Sequence, residues 1–173
     1  MSKRLVLIVG SLFVLATAST VLAKHRERTR DIITFEKMYG VDGPFIGETN
    51  AVRNVVGDEL PWDIAVGKGS LKDNGHLKIK IRGLVFKNAD PVPAEKRGIN
   101  DEAEFRALVS CLTEAGPNVS TSNVMTTGFP ATTSGNADID ATLVLPNPCV
   151  APLVFVLSGS EDKWFSVAGF ESE

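Results

Sequence analysis

The chain has 173 residues, 43% of them hydrophobic and 23% charged, with 18 Lys and Arg against 21 Asp and Glu. That balance excludes a disordered polyelectrolyte and fits one domain with a proper hydrophobic core. A net charge of −3 argues against nucleic-acid binding as the main task, because phosphate contacts need a basic surface.

The opening "MSKRLVLIVGSLFVLATASTVLAKHRERTR" sets Lys3 and Arg4 ahead of an apolar run from Leu5 to Leu22. Val21 and Ala23 are small residues at the −3 and −1 positions of a cleavage site. This three-part pattern predicts a secretory signal peptide over 1–23. The competing reading is an uncleaved anchor, although Gly10, Ser11, Thr17, Ser19 and Thr20 dilute the run. Cleavage leaves no membrane span and places the protein outside the cytoplasm, secreted or periplasmic. No cysteine near the cut offers a lipid attachment point. Residues 24–33, with Lys24, Arg26, Arg28 and Arg30, are expected to form a basic, flexible N-terminus. Residues 34–173 are expected to form a single domain.

Thr34 to Trp62 shows little periodicity. Gly40, Gly43, Gly47 and Gly57 divide it, and Tyr39, Phe45 and Trp62 give it apolar surface. It is expected to lie against the domain as a packed loop or a short edge strand. The next piece, "WDIAVGKGSLKDNGHLKIKIRGLVF", carries the clearest strand signal. Leu77, Ile79 and Ile81 alternate with His76, Lys78, Lys80 and Arg82. Asn74-Gly75 predicts a tight turn with positive φ angles. Trp62, Ile64 and Val66 form the alternating set of the partner strand, and Gly67 and Gly69 suggest a bulge.

Residues 88–101 are polar and hold prolines, so they read as a loop. "DEAEFRALVSCLTEAG" admits two readings. Asn100 or Asp101 could cap a helix, with Glu104 three residues after Asp101 as in a capping box. Phe105, Ala107, Val109 and Cys111 alternate as in a strand, and the strand is preferred because the neighbouring periodicity is of that kind. Further on, Ala137, Ile139, Ala141, Leu143 and Leu145 alternate with Asp138, Asp140 and Thr142. "PLVFVLS" is apolar on both faces, as a central strand would be. "WFSVAGF" closes the chain. Many short strands between turns predict an all-β fold, an antiparallel β-sandwich of immunoglobulin-like or jelly-roll-like kind.

Only Cys111 and Cys149 occur, and in an exported chain an even count predicts one intradomain disulfide. A zinc site lacks partners beyond His25 and His76. There is no Cys-x-x-Cys, and a catalytic cysteine would depend on His76 alone. Neither a G-x-S-x-G elbow nor a phosphate or dinucleotide loop is present.

Four further possibilities remain. Asp138 and Asp140 share a strand face about 7 Å apart, a spacing open to acid–base hydrolysis, and Glu102 with Glu104 is a similar couple. Asn136, Asp138 and Asp140 open like an oxygen-ligand calcium loop but lack its glycine and distal glutamate. Trp62, Trp164, Phe165 and Phe170 could present a flat surface to a glycan or protein. Alternation puts Trp164 and Phe165 on opposite faces, so one ring is expected to be exposed. Asn118-Val119-Ser120 matches a glycosylation sequon.

"MYGVDGPFIG", "LPWDIAVGKGSLKDNGHLKIKIRGLV", "FRALVSCL" and "ATTSGNADIDATLVLPNPCVAPLVFVLSG" together resemble a group of short exported microbial proteins described only as hypothetical. The likeness spans most of Met38 to Phe170. It implies export and one cysteine pair, and it assigns no activity and no functional residue. The sequence therefore predicts a secreted, non-catalytic β-sandwich, without cofactor, that binds a cell-surface, glycan or protein partner. A small carboxylate hydrolase and a weak calcium module are the alternatives.

Overall fold

The computed structural model describes residues 29–169. The expected signal peptide, most of the basic stretch, His25 and Phe170 lie outside the described residues. The fold is all-β, a sandwich of two antiparallel sheets with one disulfide.

The smaller sheet holds β1 (Asp31–Phe35), β5 (Val66–Lys72), β6 (His76–Arg82) and β11 (Ala137–Thr142) in that spatial order. Leu77, Ile79 and Ile81 of β6 are buried while the cations between them face out. β11 pairs with β6 without a break from Ala137 opposite Ile81 to Thr142 opposite His76. A one-residue slip would turn every aliphatic side chain outward, so this register is firmly specified.

The larger sheet is built on β8 (Glu104–Ala115), β12 (Val150–Ser158) and β13 (Lys163–Gly169). β9 (Asn118–Met125) and β10 (Phe129–Pro130) follow one another along the free side of β8. On the far side of β13 lie β2 (Lys37–Gly40) and, in parallel, β3 (Val56–Gly57). A two-stranded ribbon, β4 (Trp62–Asp63) with β7 (Val85–Phe86), completes the fold.

The segment 102–113 resolves as strand from Glu104 onward, and Cys111 points inward as its alternation requires. The capping signal has another use. The Asn100 side chain donates to the carbonyls of Glu102 and Thr132 and accepts from the Glu102 amide, tying two loops together.

Four expectations are corrected. The sheet begins at Asp31, inside the stretch expected to be flexible, and the Arg30 amide donates to Asp73. The β5–β6 ladder has no bulge at Gly67 or Gly69. Instead Gly67, Gly69 and Leu71 face inward and Val66 faces out, the opposite phase to the one the aliphatic residues suggested. A Cβ on Gly69 would stand 2.9 Å from the Phe35 ring and 2.1 Å from the Lys78 carbonyl oxygen, so the glycine is there for close approach. At the turn, Gly75 alone takes a positive φ, and Lys72 to His76 form a three-residue connection.

The larger sheet is buried on both faces at its centre. Val154, Phe155, Val156 and Leu157 are all inaccessible. Val154 and Val156 face the smaller sheet, together with Val109, Ala107 and Phe105 of β8. Phe155 and Leu157 point the other way, beside Trp164. That outer face is covered by the segment from Val41 to Asp58. Val55 is buried there, and Ile46 and Val52 pack against the core. The segment is tied down where the Asp58 amide donates to the Trp164 carbonyl, Arg53 donates to Ala151, and Asn123 donates to the Arg53 carbonyl.

Cys111 of β8 is bonded to Cys149, the residue just before β12, with a sequence separation of 38. At Cys111 the β8–β12 ladder shifts, Val150 pairing with Leu112 and Leu153 with Ser110. The bond thus closes a long loop at the end of the ladder where pairing is least regular. Replacing both cysteines by alanine is expected to destabilise the domain by up to about 4 kcal/mol, from lost loop closure in the unfolded chain. Urea unfolding of the oxidised protein and the variant measures this, and coincident midpoints would contradict it.

Candidate functional site

Asp138 and Asp140 stand together on the solvent face of the smaller sheet, where with Glu36, Lys68, Lys78 and Lys80 they line an open concavity of about 470 Å³. Asp138 Oδ2 accepts from Arg82 Nη2 at 2.9 Å. Asp140 is shared between His76 Nε2 at 2.8 Å and Lys78 Nζ at 3.1 Å. These partners sit on β6 because the β6–β11 register puts Lys78 directly opposite Asp140 and Lys80 opposite Asp138. The Arg82 hydrogen bond lowers the Asp138 pKa, and those from His76 and then Lys78 lower that of Asp140. Both carboxylates are therefore held ionised. A hydrolase of the paired-carboxylate type needs one carboxyl to keep its proton near neutral pH, and neither of these does.

The proposed calcium triad does not converge. Asn136 Oδ1 accepts from the Gly83 amide and its Nδ2 donates to Ser134, in the turn before β11. Asp138 and Asp140 are occupied by cations that a metal would have to displace. Among the described residues no group of three or more His, Cys, Asp or Glu side chains is placed to hold a metal ion. Glu102 and Glu104 do not act as a couple: Glu102 accepts from Ser160 Oγ, and Glu104 begins β8.

The aromatic expectation is corrected most plainly. Trp62, Trp164 and Phe165 are 1%, 2% and 2% exposed. Trp62 stacks on Phe165 with centroids 3.9 Å apart and 16° between planes, and it also touches Phe86 at 4.2 Å. Phe165 meets Phe105 edge-on at 5.9 Å. Trp164 does lie on the face opposite Phe165, but the Val41–Asp58 cover buries it against Phe155 and Phe45. Alternation separates the two rings correctly. Exposure is decided by a segment more than a hundred residues earlier in the chain.

Besides an open concavity of about 500 Å³ between β1 and Ala151–Leu153, two concave features carry clustered charge or aromatic rings. One lies at the edge of the Trp62 stack and gathers Asp58, Glu59, Lys96, Asp101, Glu102 and Glu161. Each charge there has a partner: Glu59 and Glu161 hold Lys163, Asp101 holds Lys96, and Asp58 accepts from Trp62 Nε1 at 2.8 Å. Burial raises the Asp58 pKa against the lowering effect of that indole, while the Lys163 contact lowers Glu59. At about 200 Å³ the pocket falls below the range of about 300–1,000 Å³ typical of ligand sites. It is read as a structural network.

The other is a groove of about 700 Å³ on the outer face of the larger sheet, between the cover and β2. Tyr39, Phe45, Val52, Leu153, Trp164 and Val167 line it. Tyr39 and Phe45 are each 44% exposed, large rings left half in water beside an apolar trough. The Lys37 ammonium lies 5.0 Å above the Tyr39 ring, and Asp42, paired with Lys87, stands at the margin. Sequence reasoning placed both rings in a packed loop and selected the tryptophans instead. The available signal was their position in the glycine-broken stretch "YGVDGPFIG", where no periodicity turns side chains inward.

No protein-family model, curated protein or solved structure matches this chain.

The Asp58 carboxyl supplies a test of its role. A raised folded pKa means its stabilising share is complete below the unfolded value of about 4 and is lost as pH rises through the folded value. Asp58→Asn keeps an acceptor for Trp62 without the buried charge. Its melting temperature is expected to exceed that of the native protein by a few degrees at pH 7, with the gap closing below about pH 4. Melts of both proteins from pH 3 to 7 check this. A variant that melts lower at pH 7 would show that the carboxylate itself is stabilising.

Proposed function

We propose that the chain is an exported, non-catalytic β-sandwich that binds a partner at the cell surface or in the extracellular matrix, using the groove beside Tyr39 and Phe45. The observation that carries this reading is the pair of half-exposed rings flanking a groove of ligand size. Leaving two large aromatic side chains in water costs apolar burial, and such a patch is a common mark of a contact surface. Among ligand classes, a glycan suits the lining best. Flat rings stack on the apolar face of a pyranose, and Asp42 with Lys87 offers polar partners at the margin.

Two further observations support binding over catalysis. Neither carboxyl of the β11 pair keeps a proton to give a leaving group, which weighs against hydrolysis there. The same residues are spent on Arg82, His76 and Lys78, which weighs against a calcium-dependent module. Export is supported by the tripartite N-terminal sequence, and the disulfide accords with an oxidising compartment. No helix among the described residues is long and apolar enough to cross a membrane.

The test is retention of the purified protein on insoluble cell-wall and matrix polysaccharide. Tyr39→Ala and Phe45→Ala are each expected to weaken retention about tenfold, with melting temperatures near that of the native protein. Full retention of the double variant would overturn the assignment of the groove. Loss that follows the melting temperature instead of the substitution site would do the same.

A further inference from the structure

A sandwich has free sheet edges, and each is a template for another strand unless it is blunted. The edges of this fold differ sharply in how they are protected. β1 is five residues long, carries Asp31, and is irregular between Asp31 and Ile33. β11 carries Asp138 and Asp140 along its length. β2 has four residues and opens with Lys37, and β3 has only two. Shortness, charge and bulges are the usual devices against edge-to-edge pairing, and these edges use them.

β9 uses none. It runs eight residues, "NVSTSNVM", and its pairing with β8 is unbroken from Ala115 opposite Asn118 to Leu108 opposite Met125. It has no charge, no proline and no bulge. Among the described residues its backbone ladder is with β8 alone, and the one further tie is the Asn123 side chain donating to the Arg53 carbonyl of the cover. Its setting is unusual for this chain: no charged residue occurs between Glu114 and Asp138, although 23% of the whole sequence is charged. Val119 is 71% exposed and Met125 is 38% exposed.

From these observations we infer that β9 is a docking edge for a second copy of the chain, joined as an antiparallel β9–β9 pair about a two-fold axis. A strand pairing with itself about an axis normal to the sheet must set residues of the same face opposite one another. The register centred on Thr121 does this best. It sets Thr121 against its own copy and Ser120 against Ser122, so every hydroxyl meets a hydroxyl, a favourable cross-strand combination. The absence of charge removes the repulsion that self-pairing would otherwise meet. The union joins the two larger sheets edge to edge, leaving both Tyr39–Phe45 grooves on the outer faces, so the inference is independent of what those grooves bind. One strand pair buries less surface than an obligate interface, and the dimer is expected to dissociate on dilution.

The test uses the natively exported protein. Sedimentation equilibrium over a concentration series is expected to show a monomer–dimer equilibrium, and Thr121→Lys should weaken it at least tenfold by setting two ammonium groups face to face. Under mild oxidant, Thr121→Cys should form a covalent dimer on non-reducing electrophoresis, while Thr34→Cys on the β1 edge should not. The cysteine arm decides the matter should the lysine variant misfold. A native protein that stays monomeric across the series would overturn the inference. So would a Thr121→Lys variant that dimerises like the native protein, or equal cross-linking at Thr34.

Discussion

Trp62 is the contact on which the rest of this structure depends. Its ring stacks on Phe165 from the larger sheet and touches Phe86 from the small ribbon. Its amide donates to the Val41 carbonyl at the start of the cover, while its indole donates to Asp58 at the end of it. One residue thus binds the inner face of the larger sheet to both ends of the segment that covers the outer face. An indole suits that position because it combines a large apolar surface with a single donor that must find an acceptor when buried. Asp58 supplies the acceptor at the expense of a desolvated carboxylate, which is why its pKa rises. The fold accepts an awkward charge to keep a buried N–H satisfied.

The cover exists because the larger sheet is apolar on both sides. β12 presents Val154 and Val156 inward and Phe155 and Leu157 outward, so a second layer has to cover the outer side. A short segment pinned at Asp58, Arg53 and Asn123 covers part of that face but cannot seal all of it. The groove is the remainder, bounded by Leu153 and Val167 of the sheet and by Phe45 of the cover. Its apolar character follows from the sheet beneath it. Its two exposed rings follow from where the cover stops.

Legibility in the sequence tracks how local the deciding interaction is. β6 and β11 are readable because adjacent aliphatic and charged residues fix both their state and their facing. β8 is readable by the same alternation, although the Asp101–Glu104 spacing imitates a helix start. β5 misleads because its inward positions are Gly67 and Gly69, which carry no hydropathy, so the outward Val66 appears to set the phase. The reason for those glycines, the approach of Phe35 and the Lys78 carbonyl, comes from other strands. The buried state of Trp164 and the exposure of Tyr39 lie further beyond local reasoning. Both are set by how the Val41–Asp58 segment folds back over a sheet formed mostly from residues after 104. The carboxylate pair falls between these cases. Its shared face is local and readable, whereas its ionisation follows from the cross-strand cations of β6, which needed the register.

Charge is placed in this molecule by the same logic. The open face of the smaller sheet sets Asp138 and Asp140 across from Lys78, Lys80 and Arg82, so that Asp138 meets Arg82 and Asp140 meets Lys78 in water. Pairs of that kind contribute little to stability. Their stronger effect is on association, because a charged edge strand such as β11 rejects a neutral partner strand that would desolvate it. Where the chain drops charge altogether, between Glu114 and Asp138, it also drops that protection, and it does so along a regular strand. A sequence that guards its other edges and leaves one long edge bare has a reason for the exception. Pairing of that edge with another strand is the one that backbone hydrogen bonding supplies.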